Sequence, residues 1–88
     1  MTMASWFAGI RLPDGKDHPV EQYATWDAAR DALREMADAH HADAQWEAQP
    51  TAARELKAVL SQINRCAPDL PHYLRGNGLT FFIEVRPA

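Results

Sequence analysis

The sequence predicts a two-layer α+β fold in which a four-stranded antiparallel sheet carries an antiparallel pair of helices on one face. Apolar residues alternate with other residues at both ends of the 88-residue chain, which is typical of half-buried strands. Between them, apolar residues recur every three or four positions, which indicates amphipathic helices. Turn-forming Gly, Pro and Asn separate these segments. The predicted element order is ββααββ, in a single domain covering residues 1–88.

The first two strands are predicted to form a hairpin over residues 5–24. The first strand runs to Leu12, and its alternating apolar residues are Trp6, Ala8, Ile10 and Leu12. Residues 13–17 form a turn, because Pro13 fixes φ and Gly15 is free to adopt positive φ. The second strand is predicted from Val20 to Ala24.

Two helices follow, connected by a short turn that makes them antiparallel. The first is predicted from Trp26 to about Glu47, with the Thr25 hydroxyl capping its free N–H groups. Its apolar face comprises Trp26, Ala29, Leu33, Met36, Ala37, His40 and Ala44. The second is predicted from Pro50 to about Cys66, before two prolines that cannot continue it. Its apolar face comprises Ala52, Leu56, Val59, Leu60 and Ile63.

The last hairpin joins a short strand, His72 to Arg75, to a strand that starts at Leu79 and is stopped by Pro87. The Gly76-Asn77-Gly78 segment between them is typical of a hairpin turn. Pleat alternation predicts which strand residues face the helices: Trp6, Ile10, Leu12, Leu79 or Phe81, Ile83 and Val85.

Composition disfavours several function classes. The net charge of −3 lacks the basic excess that is usual for nucleic-acid-binding domains. Cys66 is the only cysteine, so no intrachain disulfide can form, and an inert thiol in a reducing compartment is expected. No apolar run is long enough to span a bilayer, and the N-terminus lacks the pattern of a signal peptide. We therefore expect a cytoplasmic protein, of the producing cell or of an infected host.

The sequence shows no catalytic, metal-binding or cofactor-binding constellation. His40 and His41 are adjacent on a helix and point about 100° apart, which is poor geometry for one metal ion. A helix C-terminus disfavours a thiolate at Cys66, although His72 lies six residues further on. We therefore predict no enzyme, no cofactor and no metal. A small enzyme that uses Cys66 and His72 is one of the alternatives.

The sheet face opposite the helices is the first candidate binding surface. Alternation places Phe7 and Phe82 there, beside Arg11, Glu84 and Arg86, with Tyr23 or Tyr73 as further candidates. Neighbouring exposed aromatic residues require a cover or a partner. The termini or a loop could cover them, a second copy could stack on them, or bases of a nucleic acid could stack there.

The outer faces of the helices are the second candidate surface. On the first helix, the residues that point away from Leu33 are Asp31, Glu35, Asp38, Gln45 and Trp46. This face is either a solvated charged surface or a binding surface anchored by Trp46, since tryptophan is enriched in binding hot spots. On the second helix, the outer residues are Arg54 and Arg65, with Lys57 at the margin of that face. An acidic helix beside a basic one also suits self-association.

The layout of the chain resembles a known group of proteins. The resemblance rests on four features of the sequence. These are the opening strand, the Tyr23-Ala24-Thr25-Trp26-Asp27-Ala28-Ala29-Arg30 helix start, the charged helical pair and the closing Gly78-Leu79-Thr80-Phe81-Phe82-Ile83-Glu84 strand. It is similar to small uncharacterised accessory proteins of actinobacteriophages and their prophages. This resemblance implies a role in phage–host interplay, in which small accessory proteins bind and block host proteins.

Together these observations predict a non-enzymatic cytoplasmic binding protein, of phage or prophage origin, that binds and modulates a host protein. The candidate contact residues are Asp31, Glu35, Asp38, Trp46, Phe7 and Phe82. A homodimer is a further possibility. The alternative function is a nucleic-acid-associated regulator, in which a dimer presents Arg54, Lys57 and Arg65 to phosphates.

Overall fold

A computed structural model describes residues 4–87 and confirms the predicted α+β architecture. The elements are β1 (Ala4–Arg11), β2 (Asp17–Tyr23), α1 (Trp26–Trp46), α2 (Pro50–Asn64), β3 (His72–Gly76) and β4 (Leu79–Pro87). The strands form one antiparallel sheet in the order β2-β1-β4-β3, and both helices pack on the same face. In the described part of the chain, neither helix has the length and apolar character needed to cross a membrane.

The two central strands, β1 and β4, come from opposite ends of the chain. Their register runs without interruption from the pair Ala4 and Pro87 to the pair Arg11 and Thr80. This pairing joins the N-terminal hairpin to the C-terminal hairpin and leaves β2 and β3 as the sheet edges. β4 extends to Pro87, whose missing N–H is tolerated at the end of a strand.

The core lies between the central strands and the helices. Ala8 and Ile10 of β1 and Phe81 and Ile83 of β4 are fully buried, and the register places Ala8 opposite Ile83 and Ile10 opposite Phe81. A small residue therefore faces a large one at Ala8, which lets the helices approach the sheet there. The buried helix residues are Trp26, Ala29, Leu33, Ala37, Ala44, Ala52, Leu56, Val59 and Ile63.

The predicted set of helix-facing strand residues is only partly correct. Trp6 and Leu79 are half-buried against the core, whereas Leu12 lies outside β1. Val85 is 43% exposed, so its prediction as a core residue was wrong. The β3–β4 register begins at the pair His72 and Ile83, so Val85 has no neighbour on β3 to cover it.

The helix boundaries follow local signals that are visible in the sequence. The Ala28 N–H donates to the Thr25 hydroxyl at 3.1 Å, which confirms the predicted N-cap of α1. α2 begins with Pro50 in the first turn, where the absent N–H would have had no helical partner. The Trp26 indole N–H donates to the Leu70 carbonyl at 2.8 Å, which ties the start of α1 to the segment before β3.

β2 begins earlier than predicted, at Asp17 instead of Val20, and its pairing with β1 is irregular. The β1–β2 register shifts between Gly9 and Arg11. Beside this irregularity the β2 backbone lies against Gly9, because an added Cβ there would overlap the Pro19 carbonyl oxygen and would lie 2.9 Å from the Val20 Cα. Gly9 is therefore required by a close approach of two backbones.

We expect Gly9→Ala to destabilise the protein by about 3 kcal/mol, because the added methyl group overlaps backbone atoms that no side-chain movement can clear. Gly15→Ala is the control, since no atom lies within 4 Å of an added Cβ there and only the positive φ of 90° opposes it. That control should cost about 1 kcal/mol. Urea unfolding of both variants measures the difference. An equal loss in the two variants would contradict the close approach.

Candidate functional surfaces

The sheet face that points away from the helices is the open sheet face. Side-chain contacts place Phe7, Phe82, Arg11 and Arg86 together on it, as alternation predicts. The Tyr73 hydroxyl donates to Glu84 Oε1 at 2.9 Å, so Tyr73 also lies on this face. Tyr23, the other predicted candidate, instead packs against the core on the helix side.

Two arginines and two carboxylates form a closed set of ion pairs on the open sheet face. The Arg11 guanidinium donates to Asp17 at 2.8 Å and to Glu84 at 3.2 Å. The Arg86 guanidinium donates to Asp17 at 3.3 Å and to Glu84 at 2.9 Å. Each charged group therefore has two partners of opposite charge, contributed by β1, β2 and β4. We call these four residues the charged network.

The charged network covers the aromatic rings beneath it. The guanidinium carbon of Arg11 lies 4.8 Å from the ring centroid of Phe82, and that of Arg86 lies 4.9 Å from the centroid of Phe7. Both distances are in the range of cation–π contacts. Phe82 has no exposed surface and Phe7 is half-buried, so the expectation of two exposed aromatics on this face was wrong for Phe82. A partner could reach Phe82 only by displacing the arginines.

The network lowers the pKa of both of its carboxyl groups. The hydrogen bond from Arg11 lowers the pKa of Asp17 below its ordinary value of 3.8, and partial burial opposes this only in part. For Glu84, burial raises the pKa, but hydrogen bonds from Arg86, Tyr73 and Arg11 outweigh it and leave the pKa below 4.5. Both groups therefore favour the charged form in the folded chain.

These pKa shifts predict a loss of stability in acid. Because the pKa of Asp17 is lower in the folded than in the unfolded chain, its contribution is present above its ordinary value and is lost as the pH falls through the folded value. Asp17→Asn should therefore cost about 1 kcal/mol at neutral pH, and this difference should shrink as the pH falls below 3.8. Chemical denaturation at neutral and acidic pH measures how the two free energies of unfolding converge. A difference in the free energy of unfolding that stays constant as the pH falls would contradict the assigned ion pairs.

The acidic face of α1 is exposed, but its charges differ in their surroundings. Asp31 contacts Arg30 at 3.2 Å and Arg34 at 3.3 Å, so its charge is largely neutralised within α1. Glu35 and Asp38 are exposed and take part in none of the ion pairs found in the described residues. The three residues share the outer side of α1, as predicted. We call them the acidic stripe.

The outer face of α2 carries the opposite charge. Arg54, Lys57 and Arg65 are all exposed, and none of them forms an ion pair within residues 4–87. We call these three residues the basic stripe. Because α1 and α2 are neighbours in one layer, the acidic stripe and the basic stripe lie side by side on that layer.

The connection between the helices forms an exposed end of the molecule, which we call the hairpin tip (residues 44–53). Trp46 is the last residue of α1 and is 90% exposed, the largest fraction among the large apolar side chains that the structure describes. At the same end of the molecule, between the helices, is an open depression lined by Ala44, Gln45, Ala48, Gln49, Pro50 and Ala53. The depression forms because the short side chains of the alanines and Pro50 do not fill the space between the helix ends. The depression was not predicted from the sequence. The small residues around it are the one sequence feature that indicates it.

The two candidate catalytic residues, Cys66 and His72, each have their own contacts. The His72 Nε2 is 2.8 Å from the Ala67 carbonyl oxygen, and the ring meets Trp26 edge to face at 6.2 Å between centroids. Burial raises the pKa of the Cys66 thiol, and the positive charge of Arg30 offsets this only in part. Among the described residues, no group of three or more His, Cys, Asp or Glu side chains could hold a metal ion. His40 packs edge to face on Phe81 at 5.9 Å, at the margin of the core.

The raised pKa of Cys66 predicts that its thiol is alkylated slowly, because alkylation proceeds through the thiolate. Iodoacetamide at pH 7.5 should modify Cys66 in the folded protein more slowly than in the same protein unfolded in urea. Mass spectrometry over time measures both rates. Faster alkylation of the folded protein would contradict this assignment and favour an activated cysteine.

No family model matches this chain, and neither the curated proteins nor the solved structures compared with it give a match.

Proposed function

We propose that this protein is a non-enzymatic binding protein, of phage or prophage origin, that binds and modulates a host protein in the host cytoplasm. The observation that carries the proposal is the exposure of Trp46 at the hairpin tip. The layout resemblance to phage accessory proteins supports the origin and the class of partner. The lone, partly buried cysteine is compatible with a reducing cytoplasm.

Trp46 has the properties of an anchor residue. A tryptophan side chain buries about 200 Å² when it is covered, more than other side chains, and it does so with few rotatable bonds. In the folded chain without a partner, nearly all of the Trp46 side-chain surface is exposed to water. Burying it in a partner would recover the hydrophobic free energy that folding leaves unused, which is the usual behaviour of a binding hot spot.

The surroundings of Trp46 favour the hairpin tip over the open sheet face as the site of contact. On the open sheet face, Phe82 is covered and the arginines are already paired with carboxylates. A partner there would have to break ion pairs to reach apolar surface. At the tip, the indole and the small apolar residues of the depression are accessible without rearrangement.

Affinity capture tests the proposal. Wild type, Trp46→Ala and Tyr73→Ala are immobilised and exposed to a lysate of a GC-rich actinobacterial host, and bound proteins are quantified by mass spectrometry. Tyr73→Ala is the control, because it removes a half-exposed aromatic residue from the opposite layer. We expect a host protein whose apparent affinity falls at least about 30-fold with Trp46→Ala, a loss of about 2 kcal/mol, and is retained by Tyr73→Ala. Equal recovery of every partner by wild type and Trp46→Ala would contradict the assignment of Trp46.

A further inference from the structure

The outer surface of the helix layer has the charge pattern of a self-complementary interface. The acidic stripe runs along α1 and the basic stripe along the neighbouring α2, and apart from Asp31 these residues form no ion pair within the described chain. We propose that a second copy of the chain packs on this surface, with α1 of each copy lying over α2 of the other. Such a dimer would form whether or not the proposed host partner binds.

Oppositely charged residues lie at matching heights along the two helices. At the hairpin tip, Ala44 and Ala53 line the same depression. α1 ends at Trp46 and α2 begins at Pro50, and both helices rise about 1.5 Å per residue away from this tip. Counting equal numbers of residues from the tip places residue 38 beside residues 57–59 and residue 31 beside residue 65. Asp38 is therefore level with Lys57, and Asp31 is level with Arg65.

The charge pattern also selects the symmetry of the dimer. Two identical layers that stack face to face are related by a twofold axis in the plane of their interface. An axis perpendicular to the helices would place α1 over α1, so that two acidic stripes repel each other. An axis parallel to the helices places α1 over α2 and keeps residues of equal height together. In that arrangement Asp38 of each copy faces Lys57 of the other, and this contact occurs twice.

The size of the surface indicates a weak dimer. α2 has 15 residues and is about 22 Å long, and two neighbouring helices are about 20 Å wide. Each copy would bury roughly 440 Å², which places the interface below about 1,200 Å² in total, among transient contacts. Because exposed charges carry the recognition, the dimer should be strongest at low ionic strength and dissociate as salt is added.

This dimer leaves Trp46 at its periphery. Trp46 lies about 80° around α1 from Asp38, on the side away from α2, since Gln45 lines the depression between the helices and Trp46 does not. With the axis parallel to the helices, both hairpin tips lie at the same end of the dimer. The two Trp46 side chains would then lie at the same end of the dimer, at opposite edges of the interface.

Sedimentation equilibrium of the full chain tests the dimer, with charge reversals as variants. At about 20 mM NaCl the wild type should form a species of twice the 9.9 kDa chain mass, and it should be monomeric at about 500 mM NaCl. Asp38→Lys and Lys57→Glu should each weaken dimerisation at least tenfold, because each places like charges opposite each other twice. The double variant should recover dimerisation, because the pair is then restored with reversed sign.

Arg75→Glu is the matched control. It makes the same change of charge as Lys57→Glu, at an exposed position on the opposite layer. It should leave dimerisation unchanged, and circular dichroism should show that every variant is folded. A wild type that stays monomeric at low salt and high concentration would overturn the proposal. So would single reversals without effect, a double variant that is not rescued, or a dimer weakened by Arg75→Glu alone, which would assign the contact to the open sheet face.

Discussion

The pairing of β1 with β4 is the constraint on which the rest of the structure depends. It joins the two ends of the described chain at the centre of the sheet, from the pair Ala4 and Pro87 to the pair Arg11 and Thr80. Both the core and the charged network depend on it. The core needs Ile10 beside Phe81, and the charged network needs β1 and β4 side by side before Arg11 can reach Glu84. Since these contacts are remote in sequence, closing the sheet has a high entropic cost that the core must offset.

A two-layer protein of this size must make one sheet face stable in water, and this one does so with charge. On the helix face, alanines let α1 approach the strands closely and bury Ile83. On the open face, Arg11 and Arg86 spread over Phe7 and Phe82 while Asp17 and Glu84 hold them in place. Long arginine side chains cover apolar surface and keep their charged ends hydrated. The aromatic rings of the open sheet face are therefore shielded from water without a third layer.

The sequence allowed the order and type of every element to be predicted, because alternation, helical periodicity and caps are local signals. Thr25 capped α1 and Pro50 opened α2 as expected. Strand order, the exposure of Val85 and the burial of Phe82 were not predictable in the same way, since each depends on which strands become neighbours. The exposure of Trp46 followed from helical periodicity alone, whereas the adjacent depression depends on how the two helix ends meet.

Hydrogen exchange followed by NMR tests the central claim most directly, because it reports the stability of each strand separately. If the terminal strands pair at the centre of the sheet, the inter-strand amides of β1 and β4 will exchange only through global unfolding. Those of the edge strands β2 and β3 will exchange through smaller openings and therefore faster. Amides of β1 and β4 that exchange as fast as those of the edges would contradict the account.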